Sequence, residues 1–319
     1  MTRTFAFLLA LATAVPFAHA QTVKWPERPV RMIVPFPAGG STDIVARMLA
    51  ARFAEEFGQQ FVVDNRAGAG GMIGSEIAAR ATPDGYTIIL LASSYATGAA
   101  LYKLPYDPVK GIAPISLINS GPLILSVNAS NKAASLKEFM ELLRAKPGAL
   151  NFGSPGTGSA PHLAAALLQQ MSGTSMVHVA YKGDAPAMAD LLAGQIHAML
   201  LSGPALLPQV KAGRMRALGV TTEQRWPGLA DLPAIAELVP GYAHNAWNGM
   251  WAPAGTPRAI VERLNQALGR ILKLPEVQER LRADGREPAH TTPDEFGRII
   301  ARDIAKWSNV IMAGNIKVD

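Results

Sequence analysis

Apolar positions along the chain change period again and again. Val30 to Val34 is a β-rich run closed by Pro35-Phe36-Pro37-Ala38-Gly39-Gly40, and beyond it Ile44, Val45, Met48, Leu49 and Phe53 recur at helical spacing. The pattern predicts further strands at Phe61 to Val63, Thr87 to Leu91, Ile124 to Val127, Asn151-Phe152, Met176 to Val179, Ala198 to Leu201 and Ala217 to Val220. Between them it predicts helices at Ile77 to Ala81, Leu136 to Ala145, Pro161 to Met171 and Pro186 to Ala193, and a long C-terminal helix through Ile260, Val261, Leu264, Leu268, Ile271 and Leu272. Capping chemistry marks helix starts independently. Ser135-Leu-Lys-Glu138 and Thr292-Pro-Asp-Glu295 have capping-box form, and Thr256-Pro257 sets a hydroxyl before a proline at a first helical position. Such alternation predicts an α/β fold of mainly parallel sheets covered by helices on both faces.

At 319 residues the chain is long enough for two domains. No Pro/Ser-rich linker divides it, but Asn119-Ser120-Gly121-Pro122 and Gly241-Tyr242-Ala243-His244-Asn245 are loose. If both are hinges, residues 122–244 form one lobe and residues 21–121 plus 245–319 the other. A tandem arrangement fits the same rhythm.

The N-terminus carries an export signal. Arg3 gives a positive start, Phe5 to Val15 is apolar, and Ala18-His19-Ala20 has the form a signal peptidase cuts. A run of about eleven residues is too short for a membrane helix of about twenty. Residues 1–20 are therefore expected to be removed near Ala20, leaving a periplasmic protein that starts at Gln21. The absence of cysteine excludes disulfide scaffolds, thiolate metal sites and cysteine nucleophiles. The formal charge of +6 is spread out, with no run of four Lys/Arg, so nucleic acid is not an expected partner. A diffuse positive charge serves solubility and mildly favours anionic small molecules.

No H-E-x-x-H, G-x-S-x-G or P-loop lysine motif occurs. Histidines stand apart at positions 19, 162, 178, 197, 244 and 290, which offers no local start for a metal site. Neither metal nor cofactor is expected. Gly68-Ala-Gly70-Gly71-Met-Ile-Gly74 has the wrong spacing for a dinucleotide fingerprint and reads as a turn feeding a closely packed helix. An exported hydrolase would have to use His162 or His178 beside a serine that no spacing supplies.

What the chain does repeat is a glycine-rich helix start. Gly39-Gly40-Ser41-Thr42-Asp43 opens one helix, Gly153-Ser154-Pro155-Gly156-Thr157-Gly158-Ser159 a second, and Gly183-Asp184-Ala185 a third. The first amides of a helix lack internal partners, the dipole puts about half a positive charge there, and glycine lets an anion approach. Asp184 either repels an anion or bonds a ligand amine or hydroxyl. A charge-assisted hydrogen bond contributes roughly 1.5–3 kcal/mol, so four or five reach the ~8 kcal/mol of micromolar binding without an arginine clamp. Arg47, more than a turn inside its helix, reads as structural.

These residues, in order, resemble the substrate-binding receptors of tripartite tricarboxylate transporters, the Bordetella uptake gene family. The likeness runs through residues 29–47 (PVRMIVPFPAGGSTDIVAR), 62–88, 101–108 (LYKLPYDP), 153–164 (GSPGTGSAPHLA), 178–196 (HVAYKGDAPAMADLLAGQI), 215–225 and 251–265. It implies a type II-like periplasmic binding protein with two lobes, crossed twice by the chain. Such a receptor closes around a carboxylate, acts without catalysis as a monomer, and delivers its ligand to integral membrane permease subunits. Carried onto this sequence, the resemblance makes Ser41 and Thr42 from the first loop and Ser154, Thr157, Gly158 and Ser159 from the second the carboxylate-facing groups, and Gly40, Asp43 and Gly156 are expected beside them in the binding site. It adds Ala92, Ser93 and Ser94, with Asp184 and Ala185, as the rest of the pocket. Asp184 stands where a small uncharged residue is commoner, and His197 and His244 also depart from the pattern, so the ligand is not inherited from a relative. A sensor subunit presenting the same carboxylate to a membrane kinase would have the same pocket.

Overall fold

The structure is a computed structural model that describes residues 24–314, 316 and 317. The expected signal peptide and the Gln21 start lie outside the described residues. In chain order the elements are β1 Val30–Val34, α1 Ser41–Phe57, β2 Phe61–Asn65, α2 Met72–Ala79, β3 Thr87–Ala92, α3 Ser94–Leu101, β4 Ile112–Gly121, β5 Leu123–Asn128 and α4 Leu136–Ala145. They continue with β6 Asn151–Ser154, α5 Ala160–Ser172, β7 Val177–Ala180, α6 Asp184–Leu192, β8 Ala198–Ser202, α7 Gly203–Lys211 and β9 Met215–Val220. The chain ends with β10 Ala246–Pro253, α8 Arg258–Ile271, α9 Pro275–Ala283, β11 Glu287–Pro288 and α10 Pro293–Ala313. Among the described residues no helix is long and apolar enough to cross a membrane.

Two sheets form. One has strand order β11-β4-β10-β3-β1-β2 and the other β7-β6-β8-β5-β9. The chain therefore passes from the first sheet to the second at Pro122 and returns between Val220 and Ala246. Side-chain alternation sorts each sheet's two faces. Met32, Val34, Ile88 and Leu90 pack under α1, α8 and α9, while Ile33, Ile89 and Leu91 meet Tyr95, Trp251, Phe296 and Trp307 on the other side. In the second sheet Leu125, Val127, Phe152 and Leu200 pack against α4 and α5. Ile124, Met199, Leu201 and Val220 pack against α6 and α7.

The sheets are mixed, which corrects the mainly parallel expectation. β1 runs parallel to β2 and β3, and β6 parallel to β7 and β8. β10 is antiparallel to both neighbours, β11 is antiparallel to β4, and β5 is antiparallel to β8 and β9. β5 and β10 enter their sheets straight from a crossing, without the helical connection a parallel neighbour requires. β4 and β10 escape the pattern because every residue of β10 is buried, so its Trp, Asn and Gly positions do not alternate. Thr221 ties the crossings together: its Oγ1 accepts from the Leu123 amide at 2.9 Å and donates to the His244 carbonyl at 2.8 Å.

Gly249, in the middle of β10, faces the fully buried Phe296 ring. A Cβ there would stand 2.0 Å from Phe296 Cζ, so Gly249→Ala must displace that ring and its edge contact with Trp247. Overpacking of this kind costs roughly 1–3 kcal/mol. Calorimetric unfolding should show a melting temperature several degrees lower.

Candidate functional site

Helices that follow strands in both sheets begin at the seam between them, and five begin at one cavity. Its wall contains Ser41 and Thr42 of α1, Ser93 and Ser94 at the start of α3, Ala160 and Pro161 of α5, Asp184 of α6 and Ser202 before α7. Phe36, Ala92, Leu123, Pro155, Ala246, Trp247, Asn248 and Arg286 complete the wall of a cavity that opens in part to solvent. Five helix starts aimed inward make the wall a concentrated source of positive potential.

Sequence reasoning singled out α1, α5 and α6, and placed Ala92 to Ser94 by resemblance. It missed α7, although Ser202-Gly203-Pro204 sets a hydroxyl at the N-cap and a proline in the first turn. It also missed Arg286, which sits in Asp284-Gly285-Arg286-Glu287, a stretch that reads as a surface turn and carries no signal of burial. Arg286 is 3% exposed. Its Nη1 donates to the Ala246 carbonyl at 3.2 Å and its Nη2 to Ser202 Oγ, while Nε has no hydrogen-bond partner. Burial pulls its pKa down to about 10 against the opposing pull of Asp284 and Asp184, which leaves it charged at neutral pH. In the sequence reading helix-start amides alone suffice to hold an anion, and Arg286 adds a buried positive charge to the same wall.

Of the expected contact residues, Ser41, Thr42, Ala92, Ser93, Ser94 and Asp184 line the cavity. The others stand behind it. Gly40 is the N-cap of α1 and abuts Asp184, a Cβ on it falling 3.7 Å from Oδ2. Asp43 turns inward and accepts hydrogen bonds from Arg47, the Gly39 amide and Asn65. Burial pushes its pKa up, but those bonds outweigh burial and hold the carboxyl below its usual range. Arg47 is accordingly structural.

The second loop also bonds mainly with itself and with its neighbours. Ser154 is fully buried, with Oγ 2.7 Å from His178 Nε2 and bonded to Gly156. Thr157 offers its carbonyl to Tyr102, the Gly158 amide donates to His162 Nδ1, and Ser159 caps α5 while donating to the Gly156 carbonyl. Gly156 packs against Gly70, and Ala185 follows Asp184 within α6. The same residue types cap helices and face ligands, and spacing does not say which way each side chain turns. The wall here comes from Pro155, Ala160 and Pro161 instead.

Ser154 and His178 do meet, as a hydrolase would require. Phe152, His178 and His162 stack with centroids 4.9 and 4.0 Å apart, and burial with His162 alongside drives His178 down to about 3. Ser154, however, lies sealed outside the cavity wall, where no substrate carbonyl reaches it. His197 bonds Asn151 at the edge of β6. His244 faces a separate cleft beside Arg302, Lys306 and Trp307; burial, with Lys306 and Arg286 adding to it, lowers it to about 3. Among the described residues no group of three His, Asp or Glu converges as a metal site.

Contacts cross the seam throughout. Ser94 Oγ accepts the Ala160 amide at 3.0 Å, Thr97 Oγ1 donates to the Gly158 carbonyl at 2.7 Å, and Tyr102 donates to the Thr157 carbonyl at 2.9 Å. Asp184 comes from the second half yet faces the start of α1 in the first. Burial raises its pKa to about 6, although the Ser41 amide and hydroxyl and the charge of Arg286 pull the other way.

The family model TctC, tripartite tricarboxylate transporter family receptor, matches residues 45–316. The chain belongs to this family. Solved structures similar to this receptor include the periplasmic binding protein BugD, with a TM-score of 0.88 and 35% identity over 92% of this chain and 99% of that one. R. palustris Rpa4515 with adipate has a TM-score of 0.88 and 38% identity over 92% and 99% of the two chains. MatC (Rpa3494) from Rhodopseudomonas palustris with bound malate has a TM-score of 0.85 and 31% identity over 90% and 100%. The receptor thus has the two-sheet periplasmic-binding-protein fold and belongs among solute-binding proteins.

Because the folded pKa of Asp184 lies above that of the unfolded chain, its ionised form destabilises the receptor once pH rises through about 6. Asp184→Asn should therefore raise the melting temperature of the ligand-free protein at pH 8. That advantage should vanish below about pH 4, where both states of the wild type carry a protonated carboxyl.

Proposed function

We propose that this protein is a periplasmic receptor that captures a small carboxylate between its two halves and hands it, without chemical change, to a membrane permease. The observation that carries this reading is the convergence of five helix N-termini and the unpartnered Nε of buried Arg286 on one cavity. Such a wall suits an anion, and the carboxylates named for Rpa4515 and MatC belong to that class. The N-terminal signal pattern and the periplasmic description of BugD support export with cleavage near Ala20. Residues 21–121 with 245–319 form one lobe and 122–244 the other, hinged at the Thr221 tie, and the receptor works as a monomer. A ligand that touches both walls binds the closed state more tightly and makes that state dominant, which gives the permease a distinct shape to recognise.

Melting-temperature screening against a carboxylate library tests the reading. A ligand at 100 times its Kd stabilises by about 2.7 kcal/mol. Arg286→Gln should weaken the best hit roughly 10- to 100-fold by calorimetry, the size of one charge-assisted hydrogen bond. Arg258→Gln, on the exposed face of α8, should leave its affinity unchanged. A library without hits defeats the reading.

Closure has its own test. Gly203 starts α7 in the second half and meets Asp284 of the first so closely that a Cβ would fall 1.7 Å from the Asp284 carbonyl oxygen. Gly203→Ala should hold the halves apart, seen as a larger radius of gyration by X-ray scattering with ligand present. Affinity should fall in proportion to the lost closed population.

A further inference from the structure

The cavity holds two full charges of opposite sign, one from each half. Arg286 enters from the segment before β11, buried, with Nε unpartnered. Asp184 enters at the start of α6 and faces the amide and hydroxyl of Ser41, two donors that accommodate its carboxyl but bring no positive charge. Arg286 and Asp184 line the same cavity, and the charge of each acts on the other. A simple carboxylate would satisfy Arg286 and the helix amides but would share the cavity with the Asp184 carboxylate, and like charges at close range repel. A guest carrying an ammonium as well as a carboxylate gives each protein charge a partner. Buried charges are tolerated only when paired, which makes the doubly charged guest the complementary one.

We infer that the ligand is an amino acid, with its carboxylate held by Arg286 and the helix N-termini of the seam and its ammonium held by Asp184. The inference rests on the carboxylate-receptor reading and narrows it to one substrate class. Asp184 is the specificity-determining residue, and the two charges lie on opposite halves, so the zwitterion bridges the seam that closure must shut.

Calorimetry at pH 7.5 on the wild-type protein with matched pairs tests this: aspartate against succinate, glutamate against glutarate, alanine against propionate, and phenylalanine against 3-phenylpropionate. At least one amino acid should bind tenfold or more tighter than its unaminated partner. Asp184→Asn and Asp184→Ser, each confirmed folded by its melting transition, should remove that preference. An unaminated acid that binds as tightly as its amino partner in every pair overturns the inference while leaving the carboxylate reading intact. A preference that survives both substitutions overturns the role of Asp184. Silence from all eight compounds overturns the inference as well. In that case a hit from any unaminated acid in the wider library keeps the carboxylate reading, and no hit removes it.

Discussion

The structure depends on an unbalanced convergence: five helices point their positive ends at one seam. Each helix follows a strand, so its start lies at that strand's carboxyl end, and the two sheets turn those ends toward each other. Amides at these ends have no partner within their own helix. The seam must therefore be filled by something that accepts hydrogen bonds. In the protein alone that role falls to side chains borrowed from the opposite half, Ser94 Oγ at the start of α5 and the Asp184 carboxyl before α1.

The backbone supports this by keeping the two halves in register. The chain crosses at Pro122 and again ahead of β10, and Thr221 bonds both crossings at once. A fully buried hydroxyl between two strands leaves them free to flex together but not to slide independently, because sliding would leave Leu123 N–H and the His244 carbonyl unpaired away from water. Close approach then falls to glycine. Thr157 comes so near Gly70 that a Cβ would lie 2.7 Å from its carbonyl oxygen, and Gly203 is tighter still. The Gly68 to Gly71 turn, which the sequence offers as a packing device, fits its helix into α/β layers and also receives the opposite half.

The α/β class and three of the five helix starts were legible in the chain, because periodicity and the glycine-hydroxyl pattern are local. Strand direction was not. β5 and β10 have the apolar content of any buried strand, and only the route of the chain between sheets decides that they run antiparallel. The site was half legible for a related reason. Ser41 and Ser159 are both hydroxyls at helix starts, yet Ser41 faces the cavity and Ser159 bonds back into its own loop. Arg286 was invisible, since a charged residue beside Asp284 and Gly285 has every local mark of a solvated turn. It is buried only because β11 lays that turn along β4 at the crossing.

The helix starts belong to the fold itself, whereas Asp184 and Arg286 are single side chains that one substitution removes. On the carboxylate reading the fold provides the general attraction for an anion, and the side chains decide what else the guest must carry. The two contributions differ in reach. Partial charges at helix ends fade within about a turn and accept many anions, while a buried unit charge demands a partner at hydrogen-bond distance and rejects guests without one. On the amino-acid reading, changing the pair resets the ligand without touching the sheets, the crossings or the seam.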